Sequence, residues 1–116
     1  MPPTVLIIES RTEVAAALES AIAQANLTPV VVSHLERLSD IPHRVAAIVV
    51  RIAFESVSDP PHTAIARLPQ EHPPILAIAW EETELQEARR LKCDVVLRAP
   101  QDINRLCEML TRLAGS

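Results

Sequence analysis

Six consecutive small or branched apolar residues, 45–50, stand between two arginines in the middle of the chain. An apolar run this short, rich in Val and Ile and without polar alternation, is typical of a strand that is buried on both faces in a parallel sheet. In an open α/β sheet the functional crevice lies beyond the carboxyl ends of the central strands. The residue that leaves this strand is Arg51, so we expect Arg51 to lie at the functional site.

Four more short apolar runs have the same character and alternate with segments of helical periodicity. The runs predict strands at 5–8, 29–32, 74–80 and 94–97, and the segments between and after them predict helices at 10–25, 33–38, 63–68, 81–91 and 101–114. Five strands alternating with five helices imply a parallel sheet with helices on both faces, joined by right-handed crossovers. We therefore predict one α/β domain over 1–116, without an output domain, with three layers and the doubly wound, flavodoxin-like (βα)5 strand order 2-1-3-4-5.

Local sequence signals mark several helix ends. Ser10 and Glu13 have the S-x-x-E spacing of a capping box, which predicts Ser10 as the N-cap of the first helix. Asn26 follows that helix and is expected to adopt the left-handed conformation that glycine usually fills, because the only glycine of the chain is Gly115. The last helix is amphipathic, and its predicted inward residues are Ile103, Leu106, Met109, Leu110 and Leu113.

The charge balance and the cysteines argue against several classes of function. The formal net charge is −4 and the basic residues are scattered, so we expect no binding to nucleic acid. Cys93 and Cys107 fit neither a metal-ligand spacing nor a disulfide framework, and we expect both to serve as small buried hydrophobes in a reducing cytoplasm. The four histidines share no ligand spacing, so we predict no metal and no cofactor. No apolar run approaches the roughly 20 residues of a membrane helix.

Three stretches of the sequence resemble the receiver domain of bacterial two-component response regulators, the CheY-like family, and the resemblance spans nearly the whole chain. Residues 5–10, VLIIES, stand where that family has I-L-I-V-D-D. Residues 74–79, PILAIA, stand where it has P-I-I-x-L-T/S, and residues 94–100, DVVLRAP, where it has D-D-Y-L-x-K-P. The resemblance implies a domain that accepts a phosphoryl group from a histidine kinase onto an aspartate at the end of the third strand, beside a bound Mg²⁺.

Carried over position by position, the resemblance implies a degenerate phosphorylation pocket. Glu9 keeps one acid of the acidic pair, while Ser10 replaces the other. Arg51 stands where the phosphorylated aspartate is expected, Ala79 replaces the hydroxyl residue, and Ala99 replaces the lysine that reads the phosphate. Arginine supplies neither a carboxylate nucleophile nor an oxygen ligand, and its cation repels a divalent metal ion. We therefore expect a pseudo-receiver without catalytic residues rather than an enzyme.

Two positions leave alternatives open at this stage. Glu9 and Arg51 could meet across the ends of the first and third strands as a charge pair, or Arg51 could bend into solvent and pair with nothing. Trp80, one of two aromatic residues in the chain, could fill the space that the missing side chains leave, or it could anchor a partner.

The leading functional hypothesis is a signalling module that acts through protein contacts, with a histidine kinase or a second copy of the chain among its partners. The alternative is a phosphorylation-competent regulator in which Glu9 or Glu55 is an atypical acceptor. A flavin- or nucleotide-binding enzyme is disfavoured, because the loops after the strands lack a phosphate cradle rich in Gly, Ser and Thr. In relatives, the face made by the fourth helix, fifth strand and fifth helix binds partners through mixed charges. This chain has mixed charges at the same positions, and a solvated helix surface would explain them equally well. The candidate interface residues are Glu84, Glu87, Arg90, Arg98 and Arg105.

Overall fold

A computed structural model describes residues 2–9, 11–32, 44–52 and 72–115 of the chain. Within these ranges lie five strands, β1 (Thr4–Ile8), β2 (Thr28–Val32), β3 (Val45–Arg51), β4 (Ile75–Ala79) and β5 (Val95–Arg98). The α-helices of the same ranges are α1 (Thr12–Gln24), α2 (Glu82–Arg90) and α3 (Leu106–Gly115), and a 3₁₀ turn, Ile103–Arg105, leads into α3. The helices predicted at 33–38 and 63–68 lie outside the described residues.

The five strands form one parallel sheet in the order β2-β1-β3-β4-β5. The predicted doubly wound order is therefore confirmed. The central strand, β3, pairs with β1 on one side and with β4 on the other, which places Ile8 beside Val50 and Arg51 beside Ile78. Because all the strands run in the same direction, their carboxyl ends meet at one edge of the sheet, where the functional crevice of such a fold lies.

Helices cover both faces of the sheet. Successive residues of a strand point to opposite faces, so each central strand contributes to two core clusters. One core cluster joins strand residues such as Val49 to Leu18 and Ile22 of α1 and to Leu110 of α3. The other cluster contains the alternate strand residues together with Ala88 of α2. This three-layer arrangement explains the unbroken apolar runs of the sequence, because both faces of each central strand are buried.

The two ends of α1 compare differently with the prediction. The N-cap is Arg11, with extended φ and ψ angles of −87° and 118°, and not the predicted Ser10, which lies outside the described residues. The carboxylate of Glu9 serves this end of the helix, because its Oε1 atom accepts a hydrogen bond from the Arg11 backbone N–H at 3.0 Å. At the other end the prediction is confirmed, since Asn26 is left-handed with a φ of 64°.

The inward face of the last helix is confirmed except at its first position. Leu106 and Leu110 are buried, and Met109 and Leu113 pack against the same core cluster. Ile103 is 40 % exposed, so its predicted burial is wrong. The α-helix begins only at Leu106, and Ile103 lies before it, where it lines a cavity at the edge of the sheet instead of covering a strand.

Both cysteines are free thiols and are partly buried, which agrees in part with their predicted role as small buried hydrophobes. Cys93 packs against the core on the α2 side of the sheet. Burial, and then the neighbouring Asp94 carboxylate, raise the pKa of Cys93 to about 11. Burial also raises the pKa of Cys107, whose Sγ–H donates to the Ala21 carbonyl at 3.3 Å.

The described ranges contain no group of three or more His, Cys, Asp and Glu residues that could hold a metal ion. None of the helices in the same part of the chain combines the length and the apolar character that crossing a bilayer requires.

Candidate functional site

The carboxyl edge of the sheet brings together four of the five predicted pocket residues. Glu9 directly follows β1, Arg51 ends β3, Ala79 ends β4, and Ala99 directly follows β5. Backbone hydrogen bonds fix two of these positions beyond the strands, because Glu9 N–H donates to the Val32 carbonyl at 3.0 Å and Ala99 N–H donates to the Ala79 carbonyl at 2.8 Å. The fifth predicted residue, Ser10, lies outside the described residues.

Glu9 and Arg51 form a two-point ion pair at this edge. Arg51 Nε donates to Glu9 Oε2 at 2.5 Å, and Arg51 Nη2 donates to Glu9 Oε1 at 3.0 Å. The Glu9 side chain is fully buried, and the Arg51 side chain is 10 % exposed. Of the two alternatives drawn from the sequence, the structure therefore shows the charge pair and not a solvated arginine. Parallel bonds of this kind between guanidinium and carboxylate are among the stronger hydrogen bonds in proteins.

Both oxygens of the Glu9 carboxylate already accept hydrogen bonds from this chain. Oε2 accepts from the Arg51 guanidinium, and Oε1 accepts from Arg51 and from the Arg11 backbone N–H. A carboxylate attacks a phosphoryl group or binds a metal ion through an oxygen lone pair, and the three hydrogen bonds to Glu9 occupy most of the roughly four lone-pair sites of its carboxylate. The geometry therefore opposes both roles for Glu9 while the pair is intact.

Ala79 and Ala99, the other two described pocket residues, present only methyl groups at the carboxyl edge. Ala79 is fully buried and Ala99 is 3 % exposed. A methyl group can neither donate a hydrogen bond to a phosphoryl oxygen nor compensate its charge, whereas a hydroxyl or an ammonium group can. Apart from the Glu9–Arg51 pair, these described pocket positions hold no side-chain group that could respond to a phosphate.

A cavity of about 530 Å³ opens beside the ion pair, between α1 and the segment that contains the 3₁₀ turn and the start of α3. Its walls include Ala17 and Ala21 of α1, Ala99 at the sheet edge, and Trp80. Trp80 is 51 % exposed, so it lies at the rim and leaves the cavity open. The cavity is not among the features predicted from the sequence, where its only signal is the run of alanines on the face of α1 that turns towards the last helix.

The five candidate interface residues lie on or beside α2, β5 and the 3₁₀ turn, and each of them already has a partner within the chain. Glu84 Oε1 accepts from the backbone N–H groups of Trp80 at 2.7 Å and Glu81 at 3.1 Å, at the start of α2. The remaining contacts are those of Glu87 with Arg90 at 2.5 Å, Arg98 with Glu82 at 3.7 Å, and Arg105 Nη2 with the Met109 sulfur at 3.9 Å.

Comparison with solved structures shows which class of protein has this fold. A sensor protein from Polaromonas sp. JS666 is 22 % identical with a TM-score of 0.76, and the match covers 97 % of this chain and 96 % of that one. A response regulator receiver protein from Burkholderia phymatum is 15 % identical with a TM-score of 0.77, covering 97 % and 95 %. A CheY-like receiver domain from Methylobacillus flagellatus is 18 % identical with a TM-score of 0.75, covering 97 % and 99 %.

No protein-family model and no curated protein matches this sequence. The matches to solved structures cover 97 % of the chain and show that it has the CheY-like receiver fold. At these identities the likeness shows the fold alone.

Proposed function

We propose that this chain is a pseudo-receiver, a two-component signalling module that acts by protein contact without aspartyl phosphorylation. The observation that carries the proposal is the buried ion pair between Glu9 and Arg51, at the edge where a receiver presents its acceptor and its metal. The cation of Arg51 and the carboxylate of Glu9 neutralise each other there. The pair leaves no nucleophile at the end of β3, and its neutralised charge offers no attraction to the divalent ion that the reaction requires.

A second candidate function is phosphorylation on an atypical acceptor. Glu9 is the only acid of the described carboxyl edge that follows a central strand directly, and it is engaged through both oxygens. Glu55, the other acid considered from the sequence, lies outside the described residues. The two candidates make opposite predictions for one experiment, which therefore decides between them.

The test is incubation of the purified chain with acetyl phosphate and Mg²⁺, followed by intact-mass spectrometry. The pseudo-receiver should keep its mass, whereas an atypical acceptor would add one phosphoryl group. A phosphorylation-competent receiver in the same reaction controls for the donor. A further control gives this chain the residues that the receiver family has at the pocket positions, through Ser10→Asp, Arg51→Asp, Ala79→Thr and Ala99→Lys. This variant should gain the mass of one phosphoryl group if the rest of the chain is competent.

We further propose that partners bind the charged face formed by α2, β5 and the 3₁₀ turn. Arg105 is the informative residue, because it is exposed and forms no ion pair among the described residues, whereas Arg90 and Arg98 have acidic partners within the chain. A histidine kinase or a second copy of this chain would then bind through a complementary acidic group. The two free thiols suit the reducing cytoplasm in which we place the module.

Sedimentation equilibrium and titration against the kinase domain encoded nearest to this gene measure the two kinds of contact. Arg105→Glu should weaken whichever association is observed by about fivefold or more, since it replaces attraction by repulsion. Lys92→Glu is the matched control, because it makes the same change of charge on the turn before β5, at the opposite edge of the sheet. Equal effects of both variants would contradict the proposed face.

A further inference from the structure

The cavity beside the ion pair has the size and the composition of a small-molecule site. Its volume of about 530 Å³ falls within the roughly 300–1,000 Å³ of ligand pockets, which are mostly apolar with a few polar groups. The walls come from three sides, with Val14, Ala17 and Leu18 on α1, Ile78 and Ala99 at the sheet edge, and Ile103 on the 3₁₀ turn. An apolar ligand would therefore contact walls on three sides and remain open to solvent at the Trp80 rim.

The charges around the cavity favour one sign of ligand. Arg51 lines the cavity, but its cation is balanced by the Glu9 carboxylate at 2.5 Å. Glu13 also lines the cavity, is exposed, and forms no ion pair within the described residues. The net charge of these three groups is therefore −1, and it lies at the side of Glu13.

An aromatic ring at the rim favours the same sign. Half of the Trp80 surface is exposed, and an indole face attracts a cation placed within about 6 Å of the ring. We propose that the cavity binds a small apolar molecule that carries a positive charge, such as an alkyl- or aryl-amine, with its apolar part between α1 and the 3₁₀ turn and its cation near Glu13 and Trp80. This inference does not depend on whether the chain is phosphorylated.

Trp80 gives the site its own reporter. It is the only tryptophan, and the chain has no tyrosine, so the intrinsic fluorescence excited at the red edge of the tryptophan band comes from the cavity rim. Two probes of one skeleton and opposite charge separate the contributions, 4-butylbenzylamine and 4-butylbenzoic acid. The amine should change the Trp80 emission saturably, with an affinity about fivefold or more above that of the acid, because it is attracted where the acid is repelled.

Two pairs of variants locate the binding. Ala17→Leu should reduce amine affinity at least tenfold by filling the cavity, whereas Ala16→Leu, the same change at the neighbouring exposed position that does not line the cavity, should leave it unchanged. Glu13→Gln should bring the affinities of the amine and the acid to within twofold of each other, whereas Glu19→Gln, on the same helix, should not. Far-UV circular dichroism of each variant verifies that it is folded.

Three results would overturn the proposal. The first is no saturable response to the amine, which would mean that the cavity does not bind a small apolar cation. The second is an affinity for the acid that equals or exceeds that for the amine. The third is an equal effect of Ala17→Leu and Ala16→Leu in folded proteins.

Discussion

Replacing either member of the Glu9–Arg51 pair should destabilise the fold far more than replacing both. In Arg51→Met the Glu9 carboxylate stays in a fully buried position and keeps only the Arg11 N–H as a partner. In Glu9→Met the guanidinium stays at the sheet edge and loses the Glu9 carboxylate. Removing one member of a buried pair costs about 3–5 kcal/mol, whereas replacing the whole pair by apolar side chains of similar volume is often neutral or stabilising.

The magnitude follows from the geometry. Two unit charges about 4 Å apart interact by about 4 kcal/mol at an effective dielectric constant near 20. The Arg51 side chain is 10 % exposed, so water reaches one side of the pair, and we place each single variant at the lower end, a loss of about 3 kcal/mol. A loss of this size should lower the melting temperature of a domain of this length by on the order of 10–20 °C.

The measurement is a double-mutant cycle by urea denaturation, followed by far-UV circular dichroism. With about 3 kcal/mol lost in each single variant and none in the double variant, the coupling energy between Glu9→Met and Arg51→Met should reach about 6 kcal/mol in favour of the pair. The control is the cycle on Glu87 and Arg90, which lie at the same distance of 2.5 Å but where the arginine is 69 % exposed. That exposed pair should give at most about 0.5 kcal/mol. Coupling energies that agree between the two cycles would refute the reasoning.

Three further predictions concern the fold. Because burial raises the pKa of Cys93 from 9.0 to about 11, the folded chain holds this proton more tightly than the unfolded chain. The associated stability is complete below pH 9 and is lost between pH 9 and pH 11, so urea denaturation of Cys93→Ala should show a shallower decline over that interval. Asn26→Ala should cost about 1 kcal/mol in thermal denaturation, because alanine disfavours a φ of 64°, whereas Asn26→Gly should cost nothing measurable. Leu110→Ala, at a fully buried position, should lose about 2–5 kcal/mol in the same assay.

The strand order could be predicted from the sequence, and the ion pair followed from the same reasoning as one of two alternatives for Arg51. Short unbroken apolar runs that alternate with helical patterns allow few arrangements other than a parallel, doubly wound sheet. Once the strands are parallel, the residues that leave them must meet at one edge. The positions of Glu9 after β1 and Arg51 at the end of β3 therefore bring the two charges within reach of each other, as the structure shows.

Two features were not predicted from the sequence. One depends on which side chain binds the amide groups at the start of α1, and the other depends on three-dimensional packing. The S-x-x-E spacing at Ser10 and Glu13 is a local signal, and it carries no information about Glu9, whose buried carboxylate binds the Arg11 amide at the helix start. The cavity depends on the summed volumes of side chains from three elements. A pattern of small residues such as Ala17 on one helix cannot show whether a neighbour fills the space that they leave.

The buried pair has a chemical consequence that differs from stabilisation. A buried ion pair adds little net stability compared with an apolar replacement. The main effect of the Glu9–Arg51 pair is therefore on the availability of the Glu9 carboxylate to other ligands. Both oxygens of the carboxylate accept hydrogen bonds from Arg51 and Arg11, so a metal ion would have to compete with these donors. In the described part of the chain, the receiver fold is therefore combined with a sheet edge at which Glu9 pairs with Arg51 and Ala79 and Ala99 present methyl groups.

The central claim is that Arg51 donates to the buried Glu9 carboxylate at the sheet edge, and the Arg51 Nε proton tests it most directly. In ¹⁵N-resolved NMR spectra this proton should exchange slowly with water and be shifted downfield, because it lies in a hydrogen bond between buried groups. The Nε proton of Arg90, whose side chain is exposed, serves as the reference. An Arg51 proton that exchanges as fast as that of Arg90, and whose signal does not change in Glu9→Gln, would contradict the account.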